Sequence, residues 1–289
     1  MVQQSETLPG STTPTPPPDK IWFITGASRG FGRVWTEAAL RRGDKVAAAV
    51  RTLASLDDLQ QVYGANLLPL ELDVTNAEQA KAVVAQAHAH FGRLDVVLNG
   101  AGYSLVGTIE EVSVADIKAL YDTNIFGALA VIQAALPLLR AQGSGHIIGV
   151  SSSLGLVAVP LIGSYCSSKW AFEALHESLA AEIKPFGLHV TLVEPGAYAT
   201  EFASPQSLKV ADSLDIYVPL RNSMMERLKN AQRGDPQATP AALFALVDAP
   251  APPLRLFLGN QSLPNTRAVY AARLATWDAW APVSDAAQG

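Results

Sequence analysis

Short apolar runs recur along this chain from residue 21 to residue 258, and helical stretches separate most of them. The runs at 21–25, 45–50, 67–72, 94–99, 146–151, 188–194 and 254–258 are rich in β-formers and apolar on both faces, as strands buried between two layers must be. The stretches at 32–42, 77–91, 113–142 and 165–184 repeat apolar residues at three- and four-residue spacing, the pattern of a helix that rests one side on a sheet. Strand followed by helix, repeated, predicts an α/β chain: a doubly wound parallel sheet of about seven strands in one domain.

Three segments depart from that rhythm. Residues 1–19 are rich in Pro, Ser and Thr, cannot bury apolar area, and predict a disordered tail ahead of a domain at 20–289. The stretch 203–240 has a helical patch at 224–232 and no apparent strand, and reads as an insertion over the site at about 200–240. Residues 267–280 predict a terminal helix whose Trp277 and Trp280 cover the body or a neighbour.

Composition narrows the function classes. With 49% hydrophobic and 16% charged residues, the chain can fill a core and leave apolar surface to share with a partner subunit. A net charge of -5 without any long basic run gives no general attraction to nucleic acid or to an anionic membrane, and neither partner is expected. The single cysteine, Cys166, rules out an intramolecular disulfide and a multi-thiolate zinc site, which suits a reducing cytoplasm. His88, His90, His146, His176 and His189 have no metal-ligand spacing, so no metal is expected. The first twenty residues have no apolar core segment of the kind a secretory signal needs, and no later run reads as long and clean enough to span a bilayer, so a soluble protein is expected.

Two motifs carry chemistry. The first strand, ending at Thr25, enters Gly26-Ala27-Ser28-Arg29-Gly30-Phe31-Gly32 and then a helix. Glycines at such a turn let the backbone fold tightly and bring a helix N-terminus up to a pyrophosphate. Downstream, Tyr165 and Lys169 are four residues apart and share a helix face. A free phenol titrates at about 10. An ammonium at roughly 5 Å, in an effective dielectric of about 20, favours phenolate by about 3 kcal/mol, or roughly two pKa units. Hydride transfer to a carbonyl leaves an alkoxide that an acid must protonate, and Tyr165 is the candidate.

The glycine spacing resembles T-G-x-x-x-G-x-G of the short-chain dehydrogenase/reductase family, with every fixed position met, and the likeness runs from Lys20 to about Gly259. It implies a Rossmann-type fold and a nicotinamide cofactor. Ser152, thirteen positions before Tyr165, matches the family's substrate-positioning serine, with Ser151 and Ser153 as rivals. Asn124 in TNIFGAL matches the asparagine of the family's tetrad, which holds a water linking the lysine to solvent. Asp73-Val74 corresponds to the adenine contact. Asn99-Gly100-Ala101-Gly102 resembles the family's N-N-A-G, departing at Gly100. Pro195-Gly196 with Thr200 resembles P-G-x-x-x-T at the nicotinamide end.

The second strand ends Val50-Arg51-Thr52, with no carboxylate for a ribose 2′-hydroxyl. Asp44 is at the wrong end, and Asp57 and Asp58 fall too far on. Arg51 with Arg29 suits a 2′-phosphate, so the cofactor expected is NADP(H).

Together these predict NADPH-dependent reduction of a neutral, fairly hydrophobic ketone or aldehyde, or oxidation of the matching secondary alcohol. Tyr103, Leu105, Leu154, Val157, Leu161, Tyr198 and Phe202 are the candidate pocket, with Met224 and Met225 as further contacts. Cys166 neighbours the acid but points about 100° away along a helix and has no histidine near it in sequence, so it is not a nucleophile. Two other classes compete: a silent cofactor-binding sensor or scaffold, and a nucleotide-sugar epimerase or dehydratase, whose G-x-x-G-x-x-G turn is absent. By family likeness, 113–142 and 165–184 would pair subunits into a homodimer or homotetramer.

Overall fold

The computed structural model describes residues 19–204, 207–229 and 231–289. All of the predicted tail except Asp19 falls outside the described residues. In chain order the strands are β1 (Ile21–Thr25), β2 (Lys45–Val50), β3 (Leu67–Glu71), β4 (Val96–Asn99), β5 (Ser104–Val106), β6 (Gly145–Val150), β7 (Leu188–Pro195), β8 (Leu208–Val210) and β9 (Arg255–Leu258). The helices are α1 (Gly30–Arg42), α2 (Asp57–Tyr63), α3 (Ala77–Phe91), α4 (Val114–Tyr121), α5 (Ala128–Gln142), α6 (Gly163–Ile183), α7 (Val218–Lys229), α8 (Pro240–Val247) and α9 (Ser262–Ala286).

Seven strands form one sheet in the order β3-β2-β1-β4-β6-β7-β9, every pair parallel. The predicted doubly wound sheet is this one. The chain winds outward from β1 to β3, then returns to the middle as β4. A crevice must therefore open between the C-terminal ends of β1 and β4, where the helices depart to opposite faces.

Side-chain alternation builds the two cores. Ile21 and Phe23 of β1 join one cluster with Val83 and Val84 of α3 and Val131, Ala135 and Leu139 of α5. Trp22 and Ile24 join the other, with Trp35 and Leu40 of α1 and Leu243 and Leu246 of α8. Both tryptophans bring a polar N–H inside and both are satisfied: Trp22 Nε1 donates to Asp44 Oδ2 at 2.7 Å, and Trp35 Nε1 to Thr239 Oγ1 at 2.8 Å. α1 stops at Gly43, whose φ of 102° closes the last turn through N–H bonds to Ala39 and Leu40.

Four findings differ from the sequence reading. The predicted helix over 113–142 is α4 and α5 joined by one wide π turn at Asp122–Gly127. The run Val114–Gln142 is also long and apolar enough to cross a membrane by length and composition, against the reading that none is. Its apolarity has a local cause, because Val131, Ile132, Ala135 and Leu139 are buried on the sheet. The 203–240 segment does contain a strand: β8 pairs parallel with β5, Leu105 opposite Lys209, as a small second sheet. α9 is longer than 267–280, and its Trp277 and Trp280, 61% and 64% exposed, do not cover the body.

Candidate active site

The crevice at the switch point is built by backbone packed on backbone. A Cβ on Gly32 would stand 2.2 Å from the Gly26 carbonyl oxygen, and one on Gly26 2.8 Å from Ala101 N. Gly26 and Gly30 also take φ of +73° and +53°, which side chains disfavour. Thr25 Oγ1 accepts from Gly100 N at 3.1 Å and Ala101 N at 3.3 Å, tying the ends of β1 and β4 together. Gly100, the departure from N-N-A-G, has a reason here: a Cβ would stand 2.8 Å from the Thr25 carbonyl oxygen. Phe31 stacks on Trp35 with centroids 5.0 Å apart and so anchors the turn to the core.

Polar groups around this turn lack protein partners. Arg29, the residue ahead of α1, makes no side-chain cap, so the first-turn N–H groups of α1 face the crevice with their partial positive charge. Asn99 at the end of β4 is 3% exposed, yet neither its Oδ1 nor its Nδ2 has a hydrogen-bond partner. Buried amides do not stay unpaired without cause, and a ligand in the crevice supplies one. Beside them a cavity of about 480 Å³ is lined by Ser28, Arg29, Arg51, Thr52, Ser55, Glu201 and Ser204. These residues fit a dinucleotide whose pyrophosphate meets α1 and whose adenosine end reaches Arg51. Two of the three acids that the sequence set aside are engaged elsewhere: Asp58 pairs with Arg33, and Asp44 with Arg42 at 2.6 Å. Asp73 accepts from Thr75 N and Oγ1, which hold its carboxyl below the usual carboxylate range. Val74 packs against Gly127 in the π turn, 2.7 Å from where a Cβ would stand.

The four residues chosen for proton chemistry converge. Tyr165 and Lys169, both 6% exposed, occupy the first turns of α6. The Tyr165 side chain shares a hydrogen bond with Ser152, whose Oγ also accepts from Leu154 N at 3.1 Å. Ser151 turns the other way, toward Glu173. Lys169 Nζ donates to the Val150 carbonyl at 2.8 Å and lies 5.9 Å from the centre of the Tyr165 ring. Asn124 sits in the π turn, where a wider loop of backbone pushes its side chain inward. Its Nδ2 donates to Tyr103 O at 3.0 Å and Ser168 Oγ at 3.1 Å, and its Oδ1 accepts from Tyr103 N at 3.1 Å. Gly102 leaves room between this amide and the lysine: a Cβ there would stand 3.1 Å from Asn124 Oδ1 and 3.9 Å from Lys169 Nζ.

The electrostatics correct one expectation. Burial pushes the Tyr165 phenol above its ordinary value, opposed by the Ser152 hydrogen bond, and Lys169 does not reverse this. Burial also lowers Lys169 to about 8, with Glu173 pulling it back up. The i, i+4 argument counted the ammonium and left out what desolvation costs a buried charge. Burial likewise raises the Cys166 thiol, so it stays protonated and is no nucleophile.

The predicted pocket divides. Phe202 stands with its ring centre 5.7 Å from that of Tyr165, and Leu154 and Val157 are half-buried nearby in sequence to Ser152. Leu105 is instead fully buried in a small core with Val112 and Leu120, because β5 is a paired strand. Tyr198 packs edge-on to Phe31 at 5.1 Å and against Gly234, and so buttresses the glycine turn. Leu161 is buried with φ of 68°, an unusual conformation for a branched residue, and its carbonyl accepts from Gly107 N at 2.6 Å just before α6. Met224 is half-buried and Met225 is 57% exposed. Thr200 caps the next turn through Phe202 N at 3.4 Å, and Gly196 lies against Ser262.

Two groups of residues were missed. Glu110, Glu111 and Asp116 hold the 207–229 segment: Arg221 pairs with Glu111 at 2.5 Å, Tyr217 OH donates to Glu110 at 2.6 Å, and Lys209 pairs with Asp116 at 2.5 Å. Behind Lys169, Arg255 Nε donates to Glu173 Oε2 at 3.0 Å, and Glu194 Oε1 lies 3.3 Å from the same nitrogen. The signal for the second was Glu173, four residues after Lys169 on one helix face.

Comparison with known proteins agrees with this geometry. The profile of the family described as short chain dehydrogenase matches residues 20–210. The oxidoreductase BOA17 of Botryotinia fuckeliana is 37% identical over 84% of this chain and 90% of its own. A short-chain dehydrogenase from Streptomyces avermitilis superposes with a TM-score of 0.88 at 34% identity, covering 93% of this chain and 98% of that one. A short-chain dehydrogenase from Burkholderia cenocepacia in complex with NADP gives 0.72 at 27% identity, covering 90% and 96%.

Proposed function

The chain belongs to the short-chain dehydrogenase/reductase family of oxidoreductases, and from that premise we propose that it is an NADP(H)-dependent carbonyl reductase acting on a neutral, fairly hydrophobic ketone or aldehyde. The observation that carries the reading is the convergence of Ser152, Tyr165, Lys169 and Asn124 beside the uncapped start of α1. When bound, the cofactor supplies or accepts a hydride. The chain's own residues do the rest. Arg29 and Arg51 would hold the 2′-phosphate, where guanidinium forks match its oxygens. Lys169, anchored on Val150 O, would hold the ribose. Ser152 fixes the substrate oxygen by a hydrogen bond, and Tyr165 gives that oxygen its proton as negative charge develops on it. The buried phenol is neutral at physiological pH, the form that reduction requires.

Leu154, Val157 and Phe202 offer no fixed charge to a substrate, which supports a neutral, apolar one. The rival reading, a silent cofactor-binding protein, is disfavoured by the complete tetrad. Tyr165→Phe separates them: turnover in a carbonyl panel should fall by roughly 10²-fold or more while NADPH still quenches tryptophan fluorescence. Near-normal turnover in that variant would refute the acid assignment. Arg51→Ala should raise the KM for NADPH and leave that for NADH almost unchanged. An equal effect on both would remove the case for NADP(H).

A further inference from the structure

We propose that α9 is a docking surface for a second copy of this chain, which pairs with it antiparallel along one apolar stripe. The first half of α9 belongs to the body: Ser262 and Thr266 are buried, and Arg273 Nη1 donates to Leu156 O at 3.0 Å while its guanidinium lies 4.9 Å over Trp170. Past Arg273 no contact with the body is made among the described residues, and residues 274–289 are all exposed. A helical overhang of that length is marginal in water without tertiary packing. It nevertheless carries Leu274, Trp277, Trp280 and Val283, between 53% and 64% exposed. Leu274 and Trp277 share one side of the helix while Trp280 and Val283 turn away from it, and an exposed apolar strip repeated without a partner marks an interaction site.

The spacing says what kind of partner fits. Leu263, Tyr270, Leu274, Trp277 and Ala281 follow one another at intervals of seven, four, three and four, the seam of a helix that pairs with another helix. A two-fold axis midway between Ala275 and Thr276 makes the part of the seam from Tyr270 to Ala281 self-complementary. Leu274 then faces the partner's Trp277, and Tyr270 faces the partner's Ala281. The same register sets Arg267 beside the partner's Asp285. That charge pairing occurs twice by symmetry, as an isologous contact requires. Parallel pairing would instead oppose Arg267 to itself, and Asp278 and Asp285 to themselves. Those two aspartates, with a net charge of -5 on the chain, also disfavour an anionic bilayer as the occupant.

Disulfide trapping in the full-length protein tests the register. Opposite positions are Tyr270 and Ala281, whereas identical positions are eleven residues apart, about 16 Å along antiparallel axes. Tyr270→Cys/Ala281→Cys should therefore give a covalent dimer on mild oxidation, and each single variant should not. Cys166 is 1% exposed and does not compete. Trp277→Glu should lower the mass measured by light scattering by one association step with the thermal midpoint of the body unchanged. The proposal is overturned if the double variant stays uncrosslinked, if either single variant crosslinks, or if Trp277→Glu leaves the mass unaltered. It is equally overturned if the wild-type protein floats as a monomer with phosphatidylcholine–phosphatidylglycerol vesicles and Trp277→Glu abolishes the flotation.

Discussion

Lys169 donates to the carbonyl of Val150, at 2.8 Å, across the gap between α6 and the end of β6. The bond fixes the ammonium where β6 delivers Ser152 and α6 delivers Tyr165, so two elements far apart in sequence are locked in register by the residue that serves both. It also buries a charge, and burial lowers Lys169 to about 8. The carboxylate that resists this is Glu173, one turn on.

Glu173 should therefore set the pH range of the reaction. Burial raises the carboxyls of both Glu173 and Glu194, but Arg255 donates to Glu173 and makes no hydrogen bond to Glu194, so Glu173 is the one of the pair favoured to hold the negative charge, and burial with that charge raises Glu194 to about 8. Removing that charge by Glu173→Gln leaves Lys169 to lose its proton earlier. The alkaline limb of NADPH-dependent reduction should move down by roughly one pH unit. Glu177→Gln, which removes an exposed carboxylate from the same Arg255, should leave the limb in place. Unchanged limbs in both variants would show that Glu173 does not act on the lysine.

Gly32→Ala tests the phosphate cradle. Its Cβ would meet the Gly26 oxygen at 2.2 Å, backbone against backbone, with no flexible side chain to yield. α1 must back away from the turn, at a cost of about 1–3 kcal/mol in stability and with loss of NADPH affinity. Gly92→Ala is the control. Its φ of 82° costs about 1 kcal/mol, but nothing lies within 4 Å of the new methyl, so cofactor affinity should be retained. Isothermal titration with NADPH and denaturant melts separate the two effects.

Much of this was legible in the sequence, for a physical reason. Strands of a parallel sheet are covered on both faces, so 45–50 or 188–194 must be apolar throughout, and such runs are hard to mistake. The tetrad was legible because its members lie at fixed intervals from one another and from the glycine turn. The β5–β8 pair was not, since three-residue strands carrying Lys209 and half-exposed positions leave no periodic trace. Nor was the π turn around Asn124, because one extra residue in a helix does not alter an apolar pattern visibly. The direction of the Tyr165 shift was missed because spacing reports a neighbour's charge and is silent on burial.

Stability should pass through a maximum near pH 6.5, on opposed signs. Burial holds His146 at about 3 and His176 at about 4, so below about 6.5 the unfolded chain binds protons that the folded one refuses. Stability is therefore lost as pH falls through that window, at up to about 1.4 kcal/mol per pH unit for each histidine. Glu194 works the other way. Its folded pKa of about 8 lies above its unfolded value, so its contribution is complete at low pH and drains away as pH rises from about 4.5 to 8. From about pH 4.5 to 6.5 the two histidines outweigh the one carboxyl; above 6.5 the carboxyl outweighs what remains of them, until Lys169, lowered to about 8, begins to oppose it. Glu194→Gln should flatten the alkaline side of a urea-melt profile and leave the acidic side sloped. A wild-type profile still rising from pH 6.5 to 8 would contradict the assignment.

The segment 207–229 follows the candidate site in the chain and is held to the body by acidic side chains. Arg221 on α7 pairs with Glu111, which that guanidinium holds down at about 2, and Leu214 N donates to the same carboxylate at 2.9 Å. Glu111 therefore ties the middle of the stretch between β8 and α7 to the first turn of α7, and it stays charged across any working pH. Arg221→Ala removes one arm of the clamp without touching the glycine turn or the tetrad. The KM for a carbonyl substrate should rise by up to roughly fivefold, the range of a partly exposed ion pair, while the KM for NADPH stays constant. Hydrogen exchange should quicken in 207–229 and nowhere else. Added salt should reproduce part of the effect in the wild-type protein and little in the variant, because screening acts only on the pair that is present. A KM that rises equally for substrate and cofactor would mean that Arg221 supports the whole site, and the clamp would have to be abandoned.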